Sequence, residues 1–158
     1  MYKAVIITIN DSCATGQKED TSGKLLMRLL TEENFEIISK VITPHDKEQI
    51  EKHLNVYLAS DNLSFIATVG GTGIGYKDYT PDITRNLIEK EIPGVAELMR
   101  MKGAETYPSA LLSRAVAGIK NKILIINFPG NPKAVQESFD AIKELIPHII
   151  SMLKGEPR

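Results

Sequence analysis

The sequence feature that most constrains the fold is a predominantly apolar run, residues 63–69, that stops abruptly at a cluster of glycines. Its length and composition predict a strand that is buried on both faces of a sheet. The glycines that follow permit positive φ angles and let a ligand approach the backbone closely; they are Gly70, Gly71, Gly73 and Gly75. Because open α/β sheets bind ligands at the carboxyl ends of their strands, this segment predicts a phosphate or nucleotide loop.

The rest of the chain alternates strand patterns with amphipathic helix patterns. Apolar, β-branched runs at residues 3–9 and 36–42 predict two further strands, each followed by a helix. This order favours right-handed crossovers and a largely parallel sheet. Two later runs, residues 115–119 and 122–128, are joined at Lys120-Asn121, which predicts a hairpin and an antiparallel edge. The pattern therefore indicates an α/β protein.

Side chains typical of helix N-termini mark where the helices begin. We expect caps at Asp20 (or Thr21 or Ser22), at Asp46, at Thr80 before Pro81, and at Asn131 before Pro132. Pro147 is expected to kink or divide the last helix. Residues 10–16, between the first strand and the first of these helices, are rich in turn formers and predict a polar loop.

Composition excludes several classes of function. The length of 158 residues predicts one domain, residues 1–158. The net charge is −1, and the 19 basic and 20 acidic residues are mixed along the chain, which argues against a surface for binding nucleic acid or a membrane. We expect neither a signal peptide nor a transmembrane span. The single cysteine, Cys13, cannot form an internal disulfide, which fits a reducing cytoplasm. Cys13 is either a catalytic thiol or a small residue in a loop, and the lack of a neighbouring histidine favours the loop residue.

Charged side chains gather around the ends of the predicted strands. Lys77 and Asp78 follow the glycines and supply a cation for phosphates and a carboxylate for a metal. Asp11, Asp20 and Asp46 follow the first two strands, so the parallel sheet would bring them to the same edge. Mg²⁺ prefers a few carboxylate oxygens together with water and substrate phosphates. For Asp20 and Asp46, helix capping is an equal alternative to metal binding.

A second strand end carries an anion-binding pattern. The run 122–128 stops at Pro129-Gly130-Asn131-Pro132, and Lys133 lies in the first turn of the helix that begins there. The free N–H groups of such a helix start can bind a phosphate or another anion. Arg114 is a further candidate for anion binding.

Taken together, these motifs resemble the molybdenum cofactor biosynthesis proteins of the MoaB/MogA type, which include the molybdopterin adenylyltransferases and the related domain of gephyrin-like proteins. The similarity covers nearly the whole chain. The matching segments are Asn10-Asp11-Ser12, Thr68-x-Gly70-Gly71-Thr72-Gly73 with Lys77-Asp78-x-Thr80-Pro81, Glu91-x-Pro93-Gly94, Leu112-Ser113-Arg114 and Asn127-x-Pro129-Gly130-Asn131-Pro132-Lys133.

The resemblance implies a three-layer α/β/α molybdopterin-binding fold with a mostly parallel sheet, assembled as a homotrimer or homohexamer. It also implies transfer of AMP from Mg-ATP to the terminal phosphate of molybdopterin, before molybdate insertion, in concert with other molybdenum cofactor biosynthesis proteins. By the family pattern, Asp78 is the key carboxylate for catalysis and for Mg²⁺, and Asp46 is the candidate for the second catalytic carboxylate and Mg²⁺ ligand. The nucleotide contacts implied are Gly70, Gly71, Thr72 and Gly73. The molybdopterin contacts implied are Asp11, Ser12, Ser113, Pro129, Gly130, Asn131 and Lys133.

Two positions depart from the family pattern. Lys77 stands where the family usually has arginine, so the charge is kept but the bidentate fork is lost. His45 follows Pro44 where a second functional aspartate is usual, and Asp46 comes one residue later. Either Asp46 takes that role, or the protein is a non-catalytic molybdopterin-binding paralogue or scaffold. A generic nucleotide-binding α/β protein would explain the glycine loop but not the turn at residues 129–133.

Overall fold

The computed structural model describes residues 1–157 and contains one six-stranded sheet. The strands are β1 Tyr2–Ile9, β2 Phe35–Thr43, β3 Phe65–Val69, β4 Lys90–Glu91, β5 Ala117–Lys120 and β6 Ile123–Phe128. They lie in the order β2-β1-β3-β6-β5-β4. The first four in this order are mutually parallel, whereas β5 and β4 are antiparallel to their neighbours. The predicted sheet, mostly parallel with an antiparallel edge, is confirmed.

Seven α-helices and one 3₁₀ helix accompany these strands within the described residues, and the last two α-helices follow β6. The α-helices are α1 Asp11–Ala14, α2 Thr21–Glu32, α3 Lys47–Leu58, α4 Thr80–Leu87, α5 Pro93–Ala104, α6 Pro132–Ile142 and α7 Leu145–Leu153, and the 3₁₀ helix is Pro108–Leu112. The last helical segment is divided two residues before Pro147, as expected. No helix within residues 1–157 is long and apolar enough to cross a membrane.

The sheet separates two hydrophobic layers. Alternate residues of β1 point to opposite faces, so that Ala4 and Ile6 join one core and Val5 and Ile7 join the other. The first core is covered by α2, α5, α6 and α7, and the second by α3 and α4. Each central strand is therefore buried on both faces, which is why it appears in the sequence as a continuous apolar run. The three-layer α/β/α fold is confirmed.

Three local predictions need correction. Residues 10–16 are not simply a polar loop, because the Asn10 side chain accepts a hydrogen bond from Cys13 N at 2.9 Å and caps the short helix α1. Thr80 is not the cap of α4: Tyr79 occupies that position without a side-chain bond, and Thr80 lies buried in the first turn. The hairpin between β5 and β6 is present but shifted by one residue, since Asn121 and Lys122 adopt φ of 52° and 62°.

Four strand ends meet at one edge of the sheet. Since β1, β2, β3 and β6 are parallel, the segments after their last residues lie side by side. A buried side chain, Asn127, fixes this edge by donating to Thr68 Oγ1 at 2.9 Å and to Thr84 Oγ1 at 3.0 Å. Both sequence motifs that suggested anion binding are thereby placed on the same edge.

Candidate functional site

A cavity of about 550 Å³ lies between the glycine loop and the turn that follows β6. Thr72 and Gly73 form one wall, and a second wall is formed by Pro129, Gly130, Asn131, Lys133 and Ala134. The remaining lining is supplied by α5, the 3₁₀ helix with the residues that flank it, and α6, chiefly Met99, Arg100, Gly103, Tyr107, Ser113, Glu137 and Ser138. A cavity of this size accommodates a small organic ligand. The two motifs of the sequence therefore share one space.

The first two glycines of the loop occupy positions that admit no side chain. Gly70 and Gly71 have φ of 99° and 69°, in the left-handed region. A Cβ atom on Gly70 would lie 2.4 Å from the carbonyl oxygen of Ile9, and one on Gly71 would lie 2.4 Å from Thr80 Oγ1. These glycines let β3 turn sharply against β1 and against the start of α4.

The later glycines make room for the Asp78 carboxylate. Asp78 is half-buried, and its Oδ2 accepts the N–H of Gly75 at 2.8 Å. A Cβ atom on Gly73 or on Gly75 would lie 2.8 or 2.9 Å from the same oxygen. The carboxylate thus packs directly against the loop backbone, which fixes its direction.

Arg114 fastens this loop from the other side. Its backbone N–H donates to Thr72 O at 2.8 Å, and its guanidinium donates to Gly73 O at 2.8 Å and to Asp78 O at 2.6 Å. The remaining nitrogen pairs with the Asp82 carboxylate at 3.0 Å. The sequence suggested Arg114 as an anion contact and indicated no functional role for Asp82. In the structure they instead hold the loop and α4 together.

Asp11 lies at the rim of the site rather than among the cavity-lining residues. Its Oδ1 accepts the backbone N–H of His45 at 2.8 Å, and its Oδ2 lies 3.4 Å from Lys77 Nζ. The His45 N–H, followed by the Lys77 charge, lowers the pKa of this exposed carboxyl. Ser12, which precedes the buried Cys13 in α1, is also absent from the lining.

The predicted metal ligands Asp78 and Asp46 are held by their own segments. Asp46 Oδ1 accepts Gln49 N at 3.0 Å and so caps α3, which was the alternative expected from the sequence. Asp20 is buried and accepts bonds from Thr8 Oγ1, Gly23 N and Lys40 Nζ, so both of its oxygens are already bonded within the fold. Within residues 1–157, no group of three or more His, Cys, Asp or Glu side chains is arranged around a common point for a metal.

The residues expected to contact molybdopterin fall into two sets. Ser113, Pro129, Gly130, Asn131 and Lys133 all line the cavity, whereas Asp11 and Ser12 do not. The Asn131 side chain accepts Ala134 N at 2.9 Å and caps α6, as expected. The turn is also tied to α2, because Ser22 Oγ donates to Gly130 O at 2.7 Å.

Several lining residues carry no signal in the sequence. Tyr107 is one of them: its ring lies 4.7 Å from Lys133 Nζ, and its hydroxyl lies 3.3 Å from the same nitrogen. Arg100 is another, and it donates to Ala115 O at 3.1 Å. Both residues belong to the segment between β4 and β5. This segment is distant in sequence from the two motifs, so the sequence does not indicate that its residues line the same cavity. The adjoining Pro108, which starts the 3₁₀ helix, is the only local hint for Tyr107.

Comparisons with known proteins agree on one family. Residues 5–148 match the family model described as "Probable molybdopterin binding domain". The chain is 35% identical to a molybdopterin adenylyltransferase of Helicobacter pylori strain J99, over 95% of this chain and 86% of that protein. It is 36% identical to the molybdenum cofactor synthesis protein cinnamon of Drosophila melanogaster, of which it spans about a quarter (25%) of the length.

A solved structure gives the same answer for the fold. The molybdopterin biosynthesis enzyme MoaB of Thermus thermophilus superposes on this chain with a TM-score of 0.92 and 38% identity. The superposition covers 99% of each chain.

Proposed function

This chain belongs to the family of molybdopterin-binding domains found in molybdenum cofactor biosynthesis proteins, and on that premise we propose that it is a molybdopterin adenylyltransferase. Its substrates would be ATP and molybdopterin, and its product adenylylated molybdopterin. The names of the relatives that the chain matches over most of their length support this assignment.

The observation that carries the proposal is that a single cavity joins the two halves of the site. Thr72 and Gly73 come from the glycine loop, and Gly130 and Lys133 come from the turn after β6. A nucleotide on the first wall and a pterin phosphate on the second would meet between them. Holding two reactants in this way makes the transfer effectively intramolecular.

In the proposed reaction a terminal phosphate oxygen of molybdopterin attacks the α-phosphorus of ATP. A new P–O–P bond forms, the bond between the α-phosphorus and its bridging oxygen breaks, and pyrophosphate leaves with the electron pair. The backbone N–H groups of Gly71, Thr72 and Gly73 would receive the nucleotide phosphates, since the Gly70 N–H donates to Phe128 O at 3.0 Å. Lys133 would orient the attacking phosphate. The protein then needs no covalent intermediate.

Asp78 would hold Mg²⁺, with Asp46 as the second ligand. One oxygen of Asp78 accepts the Gly75 N–H, and its Oδ1 accepts no hydrogen bond from residues 1–157. A site with one or two carboxylates fits Mg²⁺, because this ion takes its other ligands from water and substrate phosphates. When bound, Mg²⁺ neutralises charge on those phosphates.

The test is product formation by the protein and by Asp78→Asn. With molybdopterin and Mg-ATP we expect the native chain to form adenylylated molybdopterin. We expect Asp78→Asn to form it at least about a hundredfold more slowly, which is the usual loss when a group that stabilises developing charge is removed. Asp61→Asn, which removes an exposed carboxylate just before β3, at the opposite end of that strand from the glycine loop, is the matched control and should keep full activity. Equal rates for the two variants would reject the role of Asp78.

A non-catalytic molybdopterin-binding protein is the second candidate. The observation that favours it is that His45 follows Pro44, while the nearby Asp46 carboxylate caps α3. Molybdopterin binding by the native chain without any turnover of Mg-ATP would establish this candidate instead.

The remaining expectations stay proposals as well. We propose a single domain over residues 1–158, a homotrimer or homohexamer, a cytoplasmic site of action and hand-over of molybdopterin by other molybdenum cofactor biosynthesis proteins. Light scattering coupled to gel filtration measures the oligomer directly.

A further inference from the structure

We infer that His45 is a positioning residue that fixes the peptide group immediately before Asp78. The inference deepens the proposed function and rests on it, because it concerns how Asp78 is held for adenylyl transfer. His45 Nδ1 lies 3.0 Å from the carbonyl oxygen of Lys77, although the two residues are 32 positions apart in the sequence. Lys77 is the residue whose carbonyl forms the peptide bond to Asp78.

The Lys77–Asp78 peptide group is bonded at both ends. Its oxygen meets His45, and its N–H, that of Asp78, donates to Gly75 O at 3.1 Å. The following carbonyl, Asp78 O, is held by Arg114 at 2.6 Å. Hence three contacts from three parts of the chain define the backbone of the residue whose carboxylate the proposed reaction uses.

His45 is itself anchored from the loop after β1. Its backbone N–H donates to Asp11 Oδ1 at 2.8 Å, and the other oxygen of Asp11 lies 3.4 Å from Lys77 Nζ. Asp11, His45 and Lys77 therefore form a closed ring that ties together the segments after β1, β2 and β3. His45 also packs beside Gly71, since a Cβ atom there would lie 3.6 Å from His45 Nδ1.

The chemistry of this contact specifies which side chains can replace His45. A carbonyl oxygen only accepts hydrogen bonds, so Nδ1 of His45 carries the proton. Asparagine could donate from its amide nitrogen, whereas alanine has no donor and an ionised aspartate would repel the Lys77 oxygen. The effect of a substitution at position 45 should therefore depend on whether the new side chain can donate a hydrogen bond to the Lys77 carbonyl oxygen.

Two measurements on the full chain test the inference. The first is hydrogen exchange of the Asp78 amide, followed by NMR without any substrate; the second is the steady-state rate of adenylyl transfer. Because one side-chain hydrogen bond is lost, His45→Ala should raise the exchange rate and lower kcat by about 2- to 10-fold, with the KM for molybdopterin unchanged. His45→Asn should restore both quantities, and His45→Asp should behave like His45→Ala or worse.

His148→Ala, which removes an exposed histidine on α7, is the matched control and should match the native chain in both assays. Unchanged Asp78 exchange in His45→Ala would overturn the inference, as would a kcat for His45→Asp above the native value. The latter result would mean that the position requires a carboxylate. If the native chain forms no product, the proposed function fails, but the exchange measurement still decides whether His45 positions Asp78.

Discussion

Replacing Arg114 by alanine should destabilise the protein well beyond the effect of losing an ordinary surface arginine. The guanidinium holds two carbonyl oxygens, those of Gly73 and Asp78, at 2.8 and 2.6 Å, and it pairs with Asp82. Hydrogen bonds to a charged group contribute about 1.5–3 kcal/mol each to stability. The Arg114 side chain is 35% exposed, so the lower end of that range applies, and the exposed pair with Asp82 adds about 0.5 kcal/mol.

These contributions together predict that Arg114→Ala lowers the free energy of unfolding by about 3.5 kcal/mol. Arg114→Lys keeps the charge but not the planar fork, so we expect it to lose about half as much. Arg85→Ala is the matched control, because among residues 1–157 the Arg85 side chain bonds only to Glu91, in an exposed ion pair, and its loss should cost less than about 1 kcal/mol.

Urea unfolding followed by circular dichroism measures these differences, provided that the m-value is the same for all variants. Arg114→Ala and Arg85→Ala with the same midpoint would refute the reasoning, since the loop contacts of Arg114 would then contribute nothing to global stability.

Two further predictions concern the buried carboxylate at the start of α2. A Cβ atom on Gly23 would lie 2.1 Å from Asp20 Oδ2, so Gly23→Ala should lower the thermal midpoint in differential scanning fluorimetry. Gly94→Ala is the control and should keep or raise the midpoint, because apart from neighbouring backbone of its own helix no atom of residues 1–157 lies within 4 Å of a Cβ there. Burial alone would raise the pKa of Asp20, but bonds from Lys40, Gly23 N and Thr8 together lower it. A folded pKa below the unfolded value of about 3.9 means that this stabilisation is present above pH 4 and is lost as the pH falls through the folded pKa. Asp20→Asn should therefore flatten the dependence of the urea midpoint on pH below about 4, and an unaltered slope would contradict this assignment.

The local features that the sequence predicts well are those set by neighbouring residues. The continuous apolar pattern of residues 63–69 indicates their burial on both faces of the sheet, and Asn131 caps the helix that begins at Pro132 by accepting a bond from Ala134 N. The resemblance to a family predicts two further features that no single motif determines. These are the three-layer fold and the sharing of one site by the glycine loop and the turn at residues 129–133.

The features that the sequence does not predict depend on contacts between distant segments. Arg114 reaches back 41 positions to Gly73 O, and nothing around the Ser-Arg pair indicates that its donors are already occupied. Tyr107 reaches the cavity because the antiparallel edge brings the segment before β5 beside α6. The helix α1 was missed because a single capping bond at Asn10 organises residues that otherwise have the composition of a turn.

The most direct test of the central claim is to follow ATP labelled at the α-phosphate in the presence of molybdopterin and Mg²⁺. We predict that the native chain transfers labelled AMP to molybdopterin and releases one pyrophosphate for each product formed. Binding of both substrates at the cavity without transfer of the label would contradict the claim that this chain is an adenylyltransferase.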